Sequence, residues 1–259
     1  MITLSGYWTD LGTAASVDWC EPNYVHSPYV AEWWNTLTGF PMVLLGLFGL
    51  WCIRGNDKVE QRYALCFLAL AVVGLGSSAF HATILKVAQA ADELPMIYGS
   101  LIFFYCLVQR KREDKAHAQR WAVGLTIYSL LFTIGYAMLQ TYFTLFIWSY
   151  AALATLLVLG ITRVALSPDA TPTHKRLAAG GALFFVGGVF LMWFPEHVFF
   201  TCDHPIQGLH LHAAWHLSAG LGTYLGILFL LYDRQHVLGR NPTLKFSRFL
   251  RIPYVSLTT

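Results

Sequence analysis

Apolar residues in this chain fall in long, nearly unbroken runs, without the regular polar interruptions of a soluble amphipathic helix or strand. A run of about 20 apolar residues crosses a bilayer as a helix. Candidate spans are Trp33–Ile53, Tyr63–Ile84, Leu94–Val108, Trp121–Leu139, Tyr142–Thr162, Leu177–Phe194 and Leu209–Tyr232. The third is short, and its start is expected nearer Ala90; low hydropathy there is what a polar site buried in that helix would produce. The expected fold class is an all-α membrane protein, a seven-transmembrane helix bundle over residues 33–232. An N-terminal arm (1–32) precedes the bundle and a basic tail (233–259) follows it. No internal repeat or low-complexity segment breaks the pattern.

Composition agrees with this reading. Of 259 residues, 56% are hydrophobic and 12% charged, with a mean hydropathy of +0.51, whereas soluble domains carry about 25% charged residues. Charge placement adds an orientation. All of the 17 Lys and Arg residues except Lys86 fall in the first, third and fifth connections or after the last span. The positive-inside rule then puts the C-terminus in the cytosol and the arm in a lumen or outside. Dropping or merging a span would scramble that separation. The net charge of +3 comes from these loops and gives no reason to invoke nucleic acid. No cleavable leader is expected from the first residues. Asn241-Pro242 is not a glycosylation site, and a KDEL-type signal is absent.

Polar chemistry concentrates at the lumenal ends of the spans. The stretch 77–98, SSAFHATILKVAQAADELPMIY, carries Ser77 and His81 four residues apart, hence on one helical face, and Asp92 just beyond. A carboxylate at a membrane boundary needs a partner. His212 and His216, again four apart, open the last span from the same side. Three imidazoles suit a catalytic zinc, which takes three protein ligands and leaves a position open. A His-x₃-His spacing also arises in ordinary helices as two satisfied core histidines, so the matched depth of His81 and Asp92 is what favours the metal. His210 is expected on another face. His26, His117, His174, His197, His204 and His236 are expected to be solvated.

In the arm, DWCEPNYVHSPYVAEWWNT (18–36) places Asp18, Glu21, Asn23 and Glu32 close together without a nearby cation. Calcium takes six to eight oxygens, but the spacing is not that of an EF-hand loop. By spacing alone a solvated acidic arm is favoured. Cys52, Cys66 and Cys106 read as small buried hydrophobes. Cys20 and Cys202 are both assigned to the lumen, where disulfides persist.

These residues together resemble the alkaline ceramidases, seven-helix intramembrane hydrolases that include the phytoceramidases. The resemblance is carried by Gly6-Tyr7-Trp8, Asp18-Trp19-Cys20-Glu21, Ala31-Glu32, Trp34-Asn35-Thr36, Gly76-Ser77, Phe80-His81-x-Thr83 and Gln89-x-x-Asp92-Glu93-Leu94-Pro95-Met96-Ile97-Tyr98. It continues in His212-Ala213-x-Trp215-His216 and Gly220-Leu221-Gly222-x-Tyr224, with weak matching in the fourth to sixth spans. The resemblance implies zinc on His81, His212 and His216, with Ser77 and Asp92 catalytic. It implies calcium on Asp18, Trp19 (through its carbonyl), Glu21, Asn23 and Glu32, and a Cys20–Cys202 disulfide. Ser78 beside Ser77 leaves open which hydroxyl serves, although helical phase favours Ser77.

The implied activity is hydrolysis of the amide of a ceramide-type lipid, possible substrates including phytoceramide and dihydroceramide, in the endoplasmic reticulum or Golgi membrane. No obligate protein partner is implied beyond membrane lipids. The alternatives are a seven-helix receptor of the adiponectin/progestin type or another intramembrane lipid hydrolase.

Overall fold

The structure, a computed structural model, describes residues 7–8, 11–111, 114–139, 142–198 and 209–257. Seven of its helices are long and apolar enough to cross a membrane. They are α1 (Trp33–Ile53), α2 (Gln61–Thr83), α3 (Lys86–Val108), α4 (Lys115–Met138), α5 (Tyr142–Ala165), α6 (Pro172–Gly188) and α8 (Leu211–Val237). A π-helical turn, Val189–Trp193, extends α6 into the short helix α7, Phe194–Val198. The chain is a seven-helix membrane bundle.

Helix ends follow local chemistry more than hydropathy. α3 begins at Lys86, well before the apolar run, because its polar first turns are satisfied by neighbours. Gln89 accepts from the Ser16 backbone N–H at 2.9 Å and donates to Glu93 at 2.7 Å, and Tyr136 donates to Glu93 at 2.7 Å. α4 starts at Asp114, whose carboxylate accepts from the Ala116 N–H at 2.9 Å. α6 starts on Thr171 and Pro172, and here His174 departs from the solvated position expected of it. It completes a capping box with Thr171 and is only 1% exposed, with Nε2 lying 3.3 Å from Asp233.

α8 likewise runs past Tyr232, where the span was expected to stop. Asp233 and Arg234 are buried, Asp233 against Arg110 and Arg234 against Glu60. Paired charges continue the helix where the sequence suggested a solvated tail. Glu60, just outside α2, is pushed up by burial, yet hydrogen bonds from Arg234 and Arg62 hold its carboxyl below the ordinary value.

Close helix contacts depend on glycine. A Cβ on Gly74 would come 2.7 Å from the Gly39 carbonyl, so α1 and α2 touch backbone to backbone. A Cβ on Gly76 would overlap the Ala91 carbonyl, which presses α3 against α2 next to Ser77 and Asp92.

The core toward the basic end is formed by Tyr63, Phe67, Tyr224, Ile227, Leu228 and Phe229, all 1% exposed or less. After α8 the chain forms a β-hairpin of β1 (Thr243–Phe246) and β2 (Pro253–Ser256), paired antiparallel from Thr243↔Ser256 to Phe246↔Pro253. At the opposite end the arm wraps the end of α2. Ala15 N–H donates to Ile84 O, and Ala31 N–H and Glu32 N–H donate to Ala82 O and His81 O, each at 2.9 Å.

Candidate active site

His81 sits in the last turn of α2, while His212 and His216 occupy the first turns of α8. α1 packs against both helices and supplies the polar groups that orient the rings. His216 Nδ1 lies 3.1 Å from the Asn35 carbonyl and 3.0 Å from Thr38 Oγ1. His81 Nδ1 meets Glu32 Oε2. With Nδ1 engaged, His81 turns Nε2 inward, where that buried atom has no hydrogen-bond partner. The three imidazoles are buried and offer ligand atoms within 4.8 Å of one another. Three converging imidazoles, two of them (His81 and His216) oriented through their outer nitrogens, are a donor set a zinc-like ion takes.

Ser77 lies one turn before His81, with Oγ 3.5 Å from His216 Nε2. Ser78 instead donates to the Thr36 carbonyl at 3.0 Å, so Ser77 is the hydroxyl facing the histidines. Asp92 enters from α3 and lines the same cavity as Ser77, His212 and His216. That cavity has a volume of about 190 Å³. Its walls are largely apolar, and it follows α3 from Asp92 to Phe103, a run of about 16 Å at helical rise. Such a shape takes a polar head at the histidines and a long apolar body along the bundle.

The arm meets the site directly. Trp19 stacks its indole on His212, ring centroids 3.7 Å apart, and the Trp19 N–H donates to Glu32 Oε1 at 2.9 Å. The other oxygen of Glu32 accepts from Asn35 Nδ2 at 3.0 Å and contacts His81. One carboxylate therefore touches the arm, α1 and a histidine of the triad. Asn23 Nδ2 donates to both oxygens of Asp18, at 3.0 and 2.9 Å, and its Oδ1 is buried without a partner.

Glu21 takes a different position from the other arm acids. Both its oxygens accept from the start of α1, at 2.7 Å from Trp34 N and 2.9 Å from Asn35 N, an anion on a helix N-terminus. Burial pushes the Asp18 carboxyl up to about 6, against the lowering effect of Asn23. It pushes Glu32 up to about 7, against hydrogen bonds from Asn35 and Trp19. The structure thus brings Asp18, Asn23, Glu32 and the Trp19 backbone close together. The arm is not a solvated acidic segment.

Sequence reasoning placed Glu32 only in the arm and missed its contact with His81, and likewise Thr38 and the Trp19 ring. Thr38 lies two residues past Trp34-Asn35-Thr36, and no spacing rule would single it out. Cys52, Cys66 and Cys106 are free thiols. Cys202 lies outside the described residues.

A membrane-embedded helical bundle with a histidine site able to hold a metal, beside a hydroxyl and a carboxylate at the head of an apolar cavity, defines the class: an intramembrane hydrolase. The Ceramidase family profile matches residues 12–256, and the chain belongs to that family. It is 36% identical to mouse alkaline ceramidase 3, over 93% of this chain and 91% of the mouse protein. It is 31% identical to the putative alkaline ceramidase dcd3A of Dictyostelium discoideum, over 90% and 93% of the two chains. Identity to the Arabidopsis thaliana alkaline ceramidase is 28%, over 98% and 96%.

Proposed function

We propose that this protein hydrolyses the amide bond of ceramides, releasing a sphingoid base and a free fatty acid, with zinc held by His81, His212 and His216. The observation that supports it most is three buried imidazoles converging within 4.8 Å at the head of an apolar cavity long enough for a lipid. A zinc ion in such a site supplies a Lewis acid and a water acidified to a pKa of about 7. The chain's own residues do the rest.

Asp92 accepts the proton that the attacking water loses as its oxygen bonds to the amide carbon. As the C–N bond breaks, the same carboxyl returns a proton to the leaving nitrogen, so the acyl chain gains hydroxyl and the base gains hydrogen. Ser77 Oγ–H donates to the oxygen on which negative charge develops. The apolar walls hold the chains and keep bulk water from the reacting centre. In the arm, Asp18, Asn23, Glu32 and the Trp19 carbonyl are assigned to a calcium ion, supported by clustered carboxylates and the buried Asn23 oxygen; Glu21, whose oxygens both accept from the start of α1, joins them on the family resemblance alone. A calcium ion held there would steady Trp19 and Glu32 against the triad. Cys20 is assigned to a disulfide with Cys202, and the arm to the lumenal side of the endoplasmic reticulum or Golgi, a reading supported by the one-sided Lys and Arg distribution.

The test is fatty-acid release from a ceramide panel by purified protein, with metal analysis of the same samples. His81→Ala, His212→Ala and His216→Ala are each expected to lose zinc and activity together. Full zinc occupancy in all three variants would overturn the assignment, and an active protein that releases no fatty acid from any ceramide would overturn the reaction.

A further inference from the structure

The β-hairpin after α8 belongs neither to the cavity nor to the histidine site, and its construction is unusual for a tail. Its second strand is anchored. Val255 is buried, Tyr224 Oη donates to the Pro253 carbonyl at 2.7 Å, and the Tyr254 ring lies 6.3 Å from Phe48. Its tip is closed by hydrogen bonds in both directions, Ser247 N–H to Ile252 O at 2.9 Å and Ile252 N–H to Ser247 Oγ at 3.0 Å. Arg251 adopts the left-handed φ of 53° that turns the chain.

This fixed tip displays Phe249 at 94% and Leu250 at 77% exposure. Two adjacent large apolar side chains this exposed on a hydrogen-bonded turn form a small patch able to meet an apolar partner. The exposed residues Lys245, Arg248 and Arg251 flank them in the sequence, and no acidic residue follows Asp233. Depth is set by the anchor: Phe48 also lies 6.1 Å from Trp51, an exposed indole in the last turn of α1, where aromatic residues mark the membrane–water boundary.

We propose that the hairpin tip is a lipid-docking element, seating Phe249 and Leu250 in the bilayer interface while Lys245, Arg248 and Arg251 engage anionic phospholipid headgroups. The apolar pair sits at the boundary where acyl chains begin, and the cations can reach the headgroup layer from their long stems. A rigid, anchored tip loses little conformational freedom on docking.

The full chain is tested in nanodiscs of phosphatidylcholine alone or mixed with phosphatidylserine, with an environment-sensitive fluorophore on Leu250→Cys in a Cys52→Ser background. The same background without Leu250→Cys serves as the labelling blank. Blue-shifted emission quenched by lipid-borne spin labels is expected, with both effects larger when phosphatidylserine is present. Raising salt to about 1 M, where screening falls to about 3 Å, is expected to remove that phosphatidylserine increment. The Lys245→Glu, Arg248→Glu, Arg251→Glu triple variant is expected to lose it too, while retaining hydrolysis in detergent as evidence of an intact bundle. Water-like, unquenched emission in both bilayers would overturn the proposal and leave the tip for a soluble partner. Equal quenching with and without phosphatidylserine would overturn the role given to the cations.

Discussion

Glu32 holds three things at once: the arm through the Trp19 N–H, α1 through Asn35 and the triad through His81. Removing its charge while keeping its shape isolates that role. Glu32→Gln is expected to weaken zinc binding by about 10–100-fold, the usual cost of losing a group that orients a ligating histidine, and to blunt any response to calcium. Zinc retention during dialysis against a chelator measures it, and wild-type retention would reduce Glu32 to an arm residue.

Asp92 is tested differently, because it lines the cavity without belonging to the triad. Asp92→Asn is nearly isosteric, so zinc content and thermal stability should hold while turnover falls by about 10²–10⁴-fold. Near-normal turnover per bound zinc would remove the proton-transfer role.

At the scale of helices, the site depends on how closely α2 and α3 approach. Gly76 lets the Ala91 backbone in, and Ser77 and Asp92 follow. Gly76→Ala is expected to cost about 1–3 kcal/mol by overpacking, seen as a lower melting temperature. Activity should fall further than stability, because Asp92 is displaced from Ser77. Equal losses in both would mean that the contact serves stability alone.

The same helices show what was legible in the sequence. The spans, their number and the three histidines could be read because long apolar runs and four-residue spacing are local signals. α1 matches its expected bounds residue for residue. The start of α3 and the end of α8 were hidden, because Gln89, Glu93, Asp233 and Arg234 look like boundary residues until their partners on other helices are known. His174 was misread for the same reason. Short strands after a long helix gave no apolar alternation strong enough to reveal the hairpin.

Over the whole molecule, polar groups cluster at both ends of an apolar bundle and serve different ends. The histidine end is built for chemistry, while the basic end clamps helices together through Arg110–Asp233 and Arg234–Glu60. Glu60 titrates below its ordinary value of 4.5 when folded. Its stabilising share is therefore complete above that value and is lost as pH falls through the lowered one. Melting temperature is expected to drop on acidification below about 4.5, and Glu60→Gln should start lower at neutral pH and show a shallower drop. An acid limb as steep as in the unaltered protein would place the sensitivity elsewhere.

The shared carboxylate of Glu32 has a further consequence for the two proposed ions. A group that touches both sites makes their occupancies thermodynamically reciprocal. Whatever factor calcium on the arm adds to affinity at the histidines, filling the histidines must return to calcium unchanged. Either proposed ion could then be titrated to report on the other, and stripping calcium from the arm would loosen zinc by the same factor.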